Sequence, residues 1–162
     1  VMRMVDLNVR VLTELAVVFA TRLAKRGGGA ILNVASTAAF QPVPHFGAYA
    51  ATKSYVTNFS LALARELAPK KVNVMVLCPG PTRTEFMSAG DMEFPGAEAL
   101  FMDADRCVEL ALRALERNRS LIVTGWLNVI VAYFSRIAPL WLSSRIAGLV
   151  FTPKAKPTKP NA

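Results

Sequence analysis

Three short apolar runs, set apart by long helical segments, constrain this chain more than any other feature. They are Ala30 to Ser36, Val72 to Leu77 and Leu121 to Thr124. Each is β-rich and reads as a strand buried on both faces. Between the runs the apolar spacing becomes helical. Residues 4–26 repeat apolar positions through Val5, Leu12, Leu15, Val18 and Phe19. Lys25 and Arg26 suit the negative C-terminal end of that helix, and Gly27-Gly28-Gly29 stops it. Gly47 to Ala68 is Ala-rich and ends before Pro69. Asp103 is placed to cap a helix running to about Arg117. Residues 126–151 are apolar and helical, with a break at Pro139. Pro42 and Pro44 keep 37–46 a loop, and 82–101 read as irregular or short helices. The Lys/Pro-rich tail from Thr152 is expected to be disordered.

Strands alternating with long helices predict an α/β domain with a parallel sheet and right-handed crossovers. One domain, residues 1–151, accounts for the core, followed by the basic tail 152–162. The apolar fraction of 53% suits such a sheet. In these sheets ligands sit outside the carboxyl ends of the strands. Chemistry is therefore expected at and just after Ser36, and at and just after Pro79. Cys78 and Cys107 lie inside apolar patterns without metal-ligand spacing. They read as buried, reduced thiols of a cytoplasmic protein. The chain begins with Val1 inside a helical pattern, which predicts that the natural N-terminus is missing and that the sequence is a fragment. The net charge is +8, with Lys154, Lys156 and Lys159 in the tail. The other basic residues are scattered, with no aromatic and arginine platform for bases, which argues against a nucleic-acid partner.

Tyr49 and Lys53 stand at i,i+4 near the start of a helix, on one face. A free phenol has a pKa of about 10, too high for efficient proton transfer near neutrality. A cationic Lys53 and the positive end of the helix dipole are expected to lower it. Such a pair alone is also what an ordinary helix surface shows. Ser36 adds context, because a hydroxyl at the preceding strand end can face Tyr49 and hold a carbonyl or alkoxide oxygen. Pro79-Gly80-Pro81-Thr82-Arg83-Thr84 follows the second strand directly. Gly80 lets backbone approach a ligand, and Thr82 and Thr84 supply hydroxyls and amides. Arg83 reads as a phosphate contact or as a solvated loop arginine.

This constellation resembles the short-chain dehydrogenase/reductase family. The matching residues are Asn33-Val34-Ala35-Ser36, Tyr49-Ala50-Ala51-Thr52-Lys53 and the loop Pro79 to Thr84, with Asp6-Leu7-Asn8-Val9 similar to the family's helix asparagine segment. The resemblance covers about residues 1–125. It implies the C-terminal part of a Rossmann-like, doubly wound parallel sheet in three αβα layers. It also implies hydride transfer between NAD(P)(H) and a carbonyl or alcohol. Tyr49 would be the general acid/base. Lys53 would bind the nicotinamide ribose and lower the Tyr49 pKa, and Ser36 would orient the substrate oxygen. Asn8 would hold a water relaying protons from Lys53. Pro79, Gly80, Thr82 and Thr84 would contact the nicotinamide and pyrophosphate, Thr84 foremost. The family's glycine-rich dinucleotide turn has no counterpart here, because Gly27-Gly28-Gly29 precedes a strand instead of following one. The residue that selects NAD or NADP is also absent. The chain by itself is expected to bind cofactor poorly, the activity belonging to an intact parent.

Residues 37–46 and 85–101 would wall a substrate pocket with Phe40, Pro42, His45, Phe46, Phe86, Met87, Met92, Phe94 and Phe101. That composition suits an apolar or lipid-like small molecule, and equally suits ordinary loop packing. His45, the only histidine, reads as a solvated loop residue, since Tyr49 fills the acid/base role. Trp126 to Phe151 is apolar, but Arg136, Arg145 and Pro139 argue against a spanning helix. It fits peripheral membrane contact, closure over the pocket, or a homo-oligomer interface. Two other functions stand beside the oxidoreductase: a non-catalytic binding module of the same fold, and a membrane-surface protein driven by residues 126–162.

Overall fold

The expected alternation of helix and strand is present in the computed structural model, which describes residues 1–84 and 101–150. The chain opens with α1 (Met2–Val5) and α2 (Leu12–Arg26), joined by a wider π-helical winding over Asp6–Val11. Then come β1 (Gly29–Val34), a 3-10 turn at Thr37–Phe40, α3 (Gly47–Leu67) and β2 (Val72–Pro79). Two short strands follow, β3 (Thr82–Arg83) and β4 (Met102–Asp103). The chain continues through α4 (Ala104–Glu116), β5 (Leu121–Thr124), α5 (Trp126–Ile137) and α6 (Leu140–Val150). Residues 85–100 and the tail from 151 lie outside the described residues. So do the wall candidates Phe86, Met87, Met92 and Phe94.

The main sheet has the order β1-β2-β5, with both pairings parallel. Gly29 to Val34 pairs with Val72 to Leu77, and Val76 to Pro79 pairs with Leu121 to Thr124. All three strands thus end on one side of the molecule. β2 is central and its side chains alternate between two cores. Val72 and Val74 pack on Ala16, Ala20, Leu63 and Leu67 from α2 and α3. Met75 and Leu77 pack on Cys107, Ala111 and Ala114 from α4 on the other face. These are the three αβα layers. The small residues Ala16 and Ala20 let α2 approach the sheet closely.

Gly27 ends α2 in the left-handed region, φ 91°, where a side chain would be strained. The Gly28 N–H then donates to the Leu23 carbonyl at 3.0 Å. Asp103 corrects the expected cap. It occupies the N-cap position of α4, but its side chain accepts no helix N–H. Its carboxylate instead takes a hydrogen bond from Arg83 Nη1 at 2.8 Å, because the parallel β3–β4 pairing sets the two side by side. Arg83 is thus an exposed, ion-paired loop arginine, in line with its solvated reading. Both cysteines are buried and free.

Among the described residues, no strand pairs with the outer edge of β1. Beside it lies an open groove of about 410 Å³, lined by Leu7, Leu15 and Phe19 of the first helices and by Ile31 and Asn33 of β1. Leu15 and Phe19, read from periodicity as part of an apolar helix face, are therefore half exposed.

At the opposite side, the turn after β2 is locked by α5. A Cβ built on Gly80 would lie 2.1 Å from Asn128 Nδ2, so the buried Asn128 amide occupies the space over the Gly80 backbone. Asn128 Nδ2 donates to the Thr124 carbonyl at 2.9 Å, which holds it there. Gly80→Ala is expected to destabilise the fold by about 1–3 kcal/mol through this overpacking. Asn128→Ala removes the three atoms that the new methyl would meet most closely. Denaturant titration of the double variant should therefore show much less than the sum of the two single losses. Additive losses would mean that Asn128 does not fill this space.

Candidate active site

Ser36 lies just beyond the last residue of β1, in extended conformation, and caps the 3-10 turn. Its Oγ accepts the Ala38 N–H at 3.2 Å. That leaves its own hydrogen to donate, and the Ser36 hydroxyl is close enough to the Tyr49 phenol to favour its ionised form. Tyr49 and Lys53 share a face of α3, as the i,i+4 spacing requires. That helix is fixed to the sheet by buried polar pairs. Asn33 Nδ2 donates to Ser60 Oγ at 2.9 Å, and Thr57 Oγ1 contacts Cys78 Sγ at 3.7 Å. Lys53 Nζ donates to the Val34 carbonyl at 3.0 Å and lies 5.7 Å from the centre of the Tyr49 ring. The three residues named from sequence therefore meet at one strand end.

The electrostatics differ from the expectation. Burial pushes the Tyr49 phenol above its ordinary value, and the Ser36 hydrogen bond pulls it back only in part. Burial likewise holds Lys53 below its ordinary value, opposed by the neighbouring Cys78 sulfur. Cys78 is itself pushed up by burial and stays a thiol. Spacing alone shows that Lys53 is near Tyr49. It does not show that both are half-buried against β1 and β2, where a charge on either is penalised.

Asn8 sits inside the π-helical winding, a rare feature that widens the helix at one turn. Its Nδ2 donates to Thr52 Oγ1 at 3.1 Å, and Thr52 Oγ1 donates to the Tyr49 carbonyl at 2.8 Å. Asn8 thus reaches the Tyr49 turn of α3 through Thr52, a buried residue that the sequence reading did not single out. After β2, Thr82 Oγ1 donates to the Gly80 carbonyl at 3.0 Å and Thr84 Oγ1 to the Thr82 carbonyl at 3.4 Å. Both hydroxyls keep acceptor lone pairs. Gly80 itself faces Asn128, so the close approach it permits is made by that amide. Asn128 was also missed, because nothing local marks a residue whose partner lies on the far side of β5.

In the loop after β1, Phe40 packs under Arg136 of α5, whose guanidinium lies 5.6 Å from the ring centre. Ser135 of α5 hydrogen-bonds Gln41. Phe46 and Tyr49 pack against the buried Ala38, Val43 and Ala50. His45 is exposed, in keeping with its solvated reading.

Comparison with known proteins bears on the family and the fold. The short chain dehydrogenase family model matches residues 1–93. Dehydrogenase/reductase SDR family member 4 of Bos taurus is 39% identical over 84 residues, which cover 52% of this chain and 30% of that protein. A short-chain dehydrogenase from Sphingobium yanoikuyae, solved in complex with NADPH, is 32% identical with a TM-score of 0.66, over 75% of this chain and 47% of that one. A short chain dehydrogenase from Burkholderia cenocepacia, solved in complex with NADP, is 25% identical with a TM-score of 0.73, over 88% of this chain and 56% of that one. The chain thus spans about half the length of these solved relatives and a smaller share of the curated one. With the family model covering more than half of its residues and its layered parallel sheet matching the Rossmann-like structures, the chain belongs to the short-chain dehydrogenase family.

Proposed function

We propose that the chain forms the catalytic half of an NAD(P)-dependent oxidoreductase acting on a carbonyl or alcohol, with Tyr49 as general acid/base. The observation that carries this is Lys53 Nζ held 5.7 Å from the centre of the Tyr49 ring, with the Ser36 hydroxyl near enough to act on the phenol. The donor set suits the nicotinamide end of the cofactor. The Lys53 ammonium has three donors and gives one to Val34, which leaves two for vicinal ribose hydroxyls. Thr82 and Thr84 donate inward and so can accept from a carboxamide. Bound there, the nicotinamide supplies the hydride chemistry.

The rest belongs to this chain's side chains. Ser36, already accepting from Ala38, donates its hydrogen to the substrate oxygen and shares that oxygen with the Tyr49 hydroxyl. Tyr49 moves the proton. Asn8 and Thr52 hold the turn that carries it and open a polar route from Lys53 outward. The pyrophosphate and adenosine contacts, and with them the choice between NAD and NADP, fall to a glycine turn that these 162 residues do not contain. The apolar wall around Phe40 and Phe46 suits an apolar small molecule.

In the intact protein, Tyr49→Phe should lower turnover by at least about 10²-fold, the usual scale of a lost general acid. Cofactor affinity, read from nicotinamide fluorescence, should hardly change. Undiminished turnover would remove Tyr49 from the role and favour a non-catalytic module.

A second measurement tests the geometry without turnover. Because burial raises the phenol pKa, the folded state prefers the neutral form. The stability tied to it is complete below about pH 10 and is lost as pH rises through the folded value. Ser36→Ala removes the bond that lowers this pKa. Tyrosinate absorbance assigned to Tyr49, by difference from Tyr49→Phe, should therefore appear at still higher pH. A downward shift would mean that Ser36 does not touch the phenol.

A further inference from the structure

Helices α5 and α6 are built inside out. The residues that α5 buries are Asn128, Ala132 and Ser135, and those that α6 buries include Ser143 and Ala147. The outward stripe of α5 is Trp126, Ile130, Tyr133 and Ile137, at helical spacing. Leu140 and Trp141 continue it at the start of α6. Ile137 is 82% exposed and Trp126 is 72% exposed. This orientation is set by bonding. Asn128 Nδ2 donates to the Thr124 carbonyl at 2.9 Å, and Ser143 Oγ donates to the Leu140 carbonyl at 3.1 Å. Ser135 Oγ donates to the Val131 carbonyl at 2.8 Å and also bonds Gln41. Turning α5 to hide its apolar face would break the Asn128–Thr124 and Ser135–Gln41 bonds and take Arg136 off the Phe40 ring.

Charge indicates what such a face meets. After Glu116 the sequence has no Asp or Glu, whereas Arg136 and Arg145 lie on the helices and Lys154, Lys156 and Lys159 follow them. A two-fold contact between copies would set these cations against each other with no acidic offset. An anionic lipid surface offsets them. Trp and Tyr, apolar with one polar atom, favour the boundary between headgroups and acyl chains. Among the described residues no helix is long and apolar enough to cross a membrane. Helices of 12 and 11 residues are about 16–18 Å long, against a hydrocarbon core of about 30 Å.

We infer that the outward face of α5 and α6 is a docking surface for anionic lipid bilayers, on which the two helices lie in the plane of the interface. The test is co-sedimentation of the intact protein with vesicles of phosphatidylcholine containing about one third phosphatidylserine, and with phosphatidylcholine alone. The chain should partition to the anionic vesicles, less so as salt rises. Its two tryptophans, Trp126 and Trp141, both lie on this face, so their emission should shift to the blue on binding. Ile137→Glu with Leu140→Glu changes two exposed positions and should leave thermal unfolding in place while weakening partition at least about tenfold. Equal partition of variant and parent would overturn the inference. So would the absence of vesicle binding, including the case in which the double variant instead dissolves a concentration-dependent oligomer, which would assign the face to a second copy.

Discussion

Because Val72 to Cys78 has no side that faces water, β2 has to be covered twice. α2 and α3 supply one cover and α4 the other. A strand buried on both faces accepts only strand neighbours on its edges, and parallel pairing with β1 and β5 fills them. Parallel pairing brings the carboxyl ends of all three strands together. Ser36, the Pro79–Thr84 turn and the start of α5 therefore share one side of the molecule without any direct attraction among them. α3 crosses back over β1, and its first turns arrive at the same place. The site is a consequence of covering β2.

That placement also sets the electrostatics. Burial raises Tyr49 and lowers Lys53, moving both towards the uncharged form. A neutral phenol beside a hydroxyl donor is ready to give a proton to a developing alkoxide. A cation brought next to the same phenol favours the phenolate. In the role proposed for Tyr49, the direction of proton transfer is therefore decided by what is bound and not by the side chains alone. Buried positions make this sensitivity large, because a charge there is poorly screened by water.

Much of this was legible in the amino-acid order. The three strands were visible as apolar runs, and Ser36, Tyr49 and Lys53 converge where strand order put them. What escaped has a common physical character, in that each miss depends on a partner distant in sequence. Asp103 looks like an N-cap until Arg83 competes for its carboxylate. Gly80 looks like a gap for a ligand until Asn128 fills it. Thr52, which takes the Asn8 amide, is not marked in the sequence because Asn8 lies 44 residues away. The sign of the Tyr49 shift follows from burial, which no i,i+4 spacing reports.

The two apolar surfaces left open differ in kind. The groove along β1 is bounded by unpaired backbone, so any partner there has to supply hydrogen bonds in register as well as apolar contact, as a further strand does. The face of α5 and α6 offers side chains only, with its backbone bonds closed inside the helices and its polar groups turned inward. A partner for that face needs no matching register, and a fluid surface suffices. Arg136 and Ser135 connect this face to Phe40 and Gln41 of the loop after β1. Whatever holds α5 from outside therefore also bears, through two side chains, on the loop that precedes Tyr49.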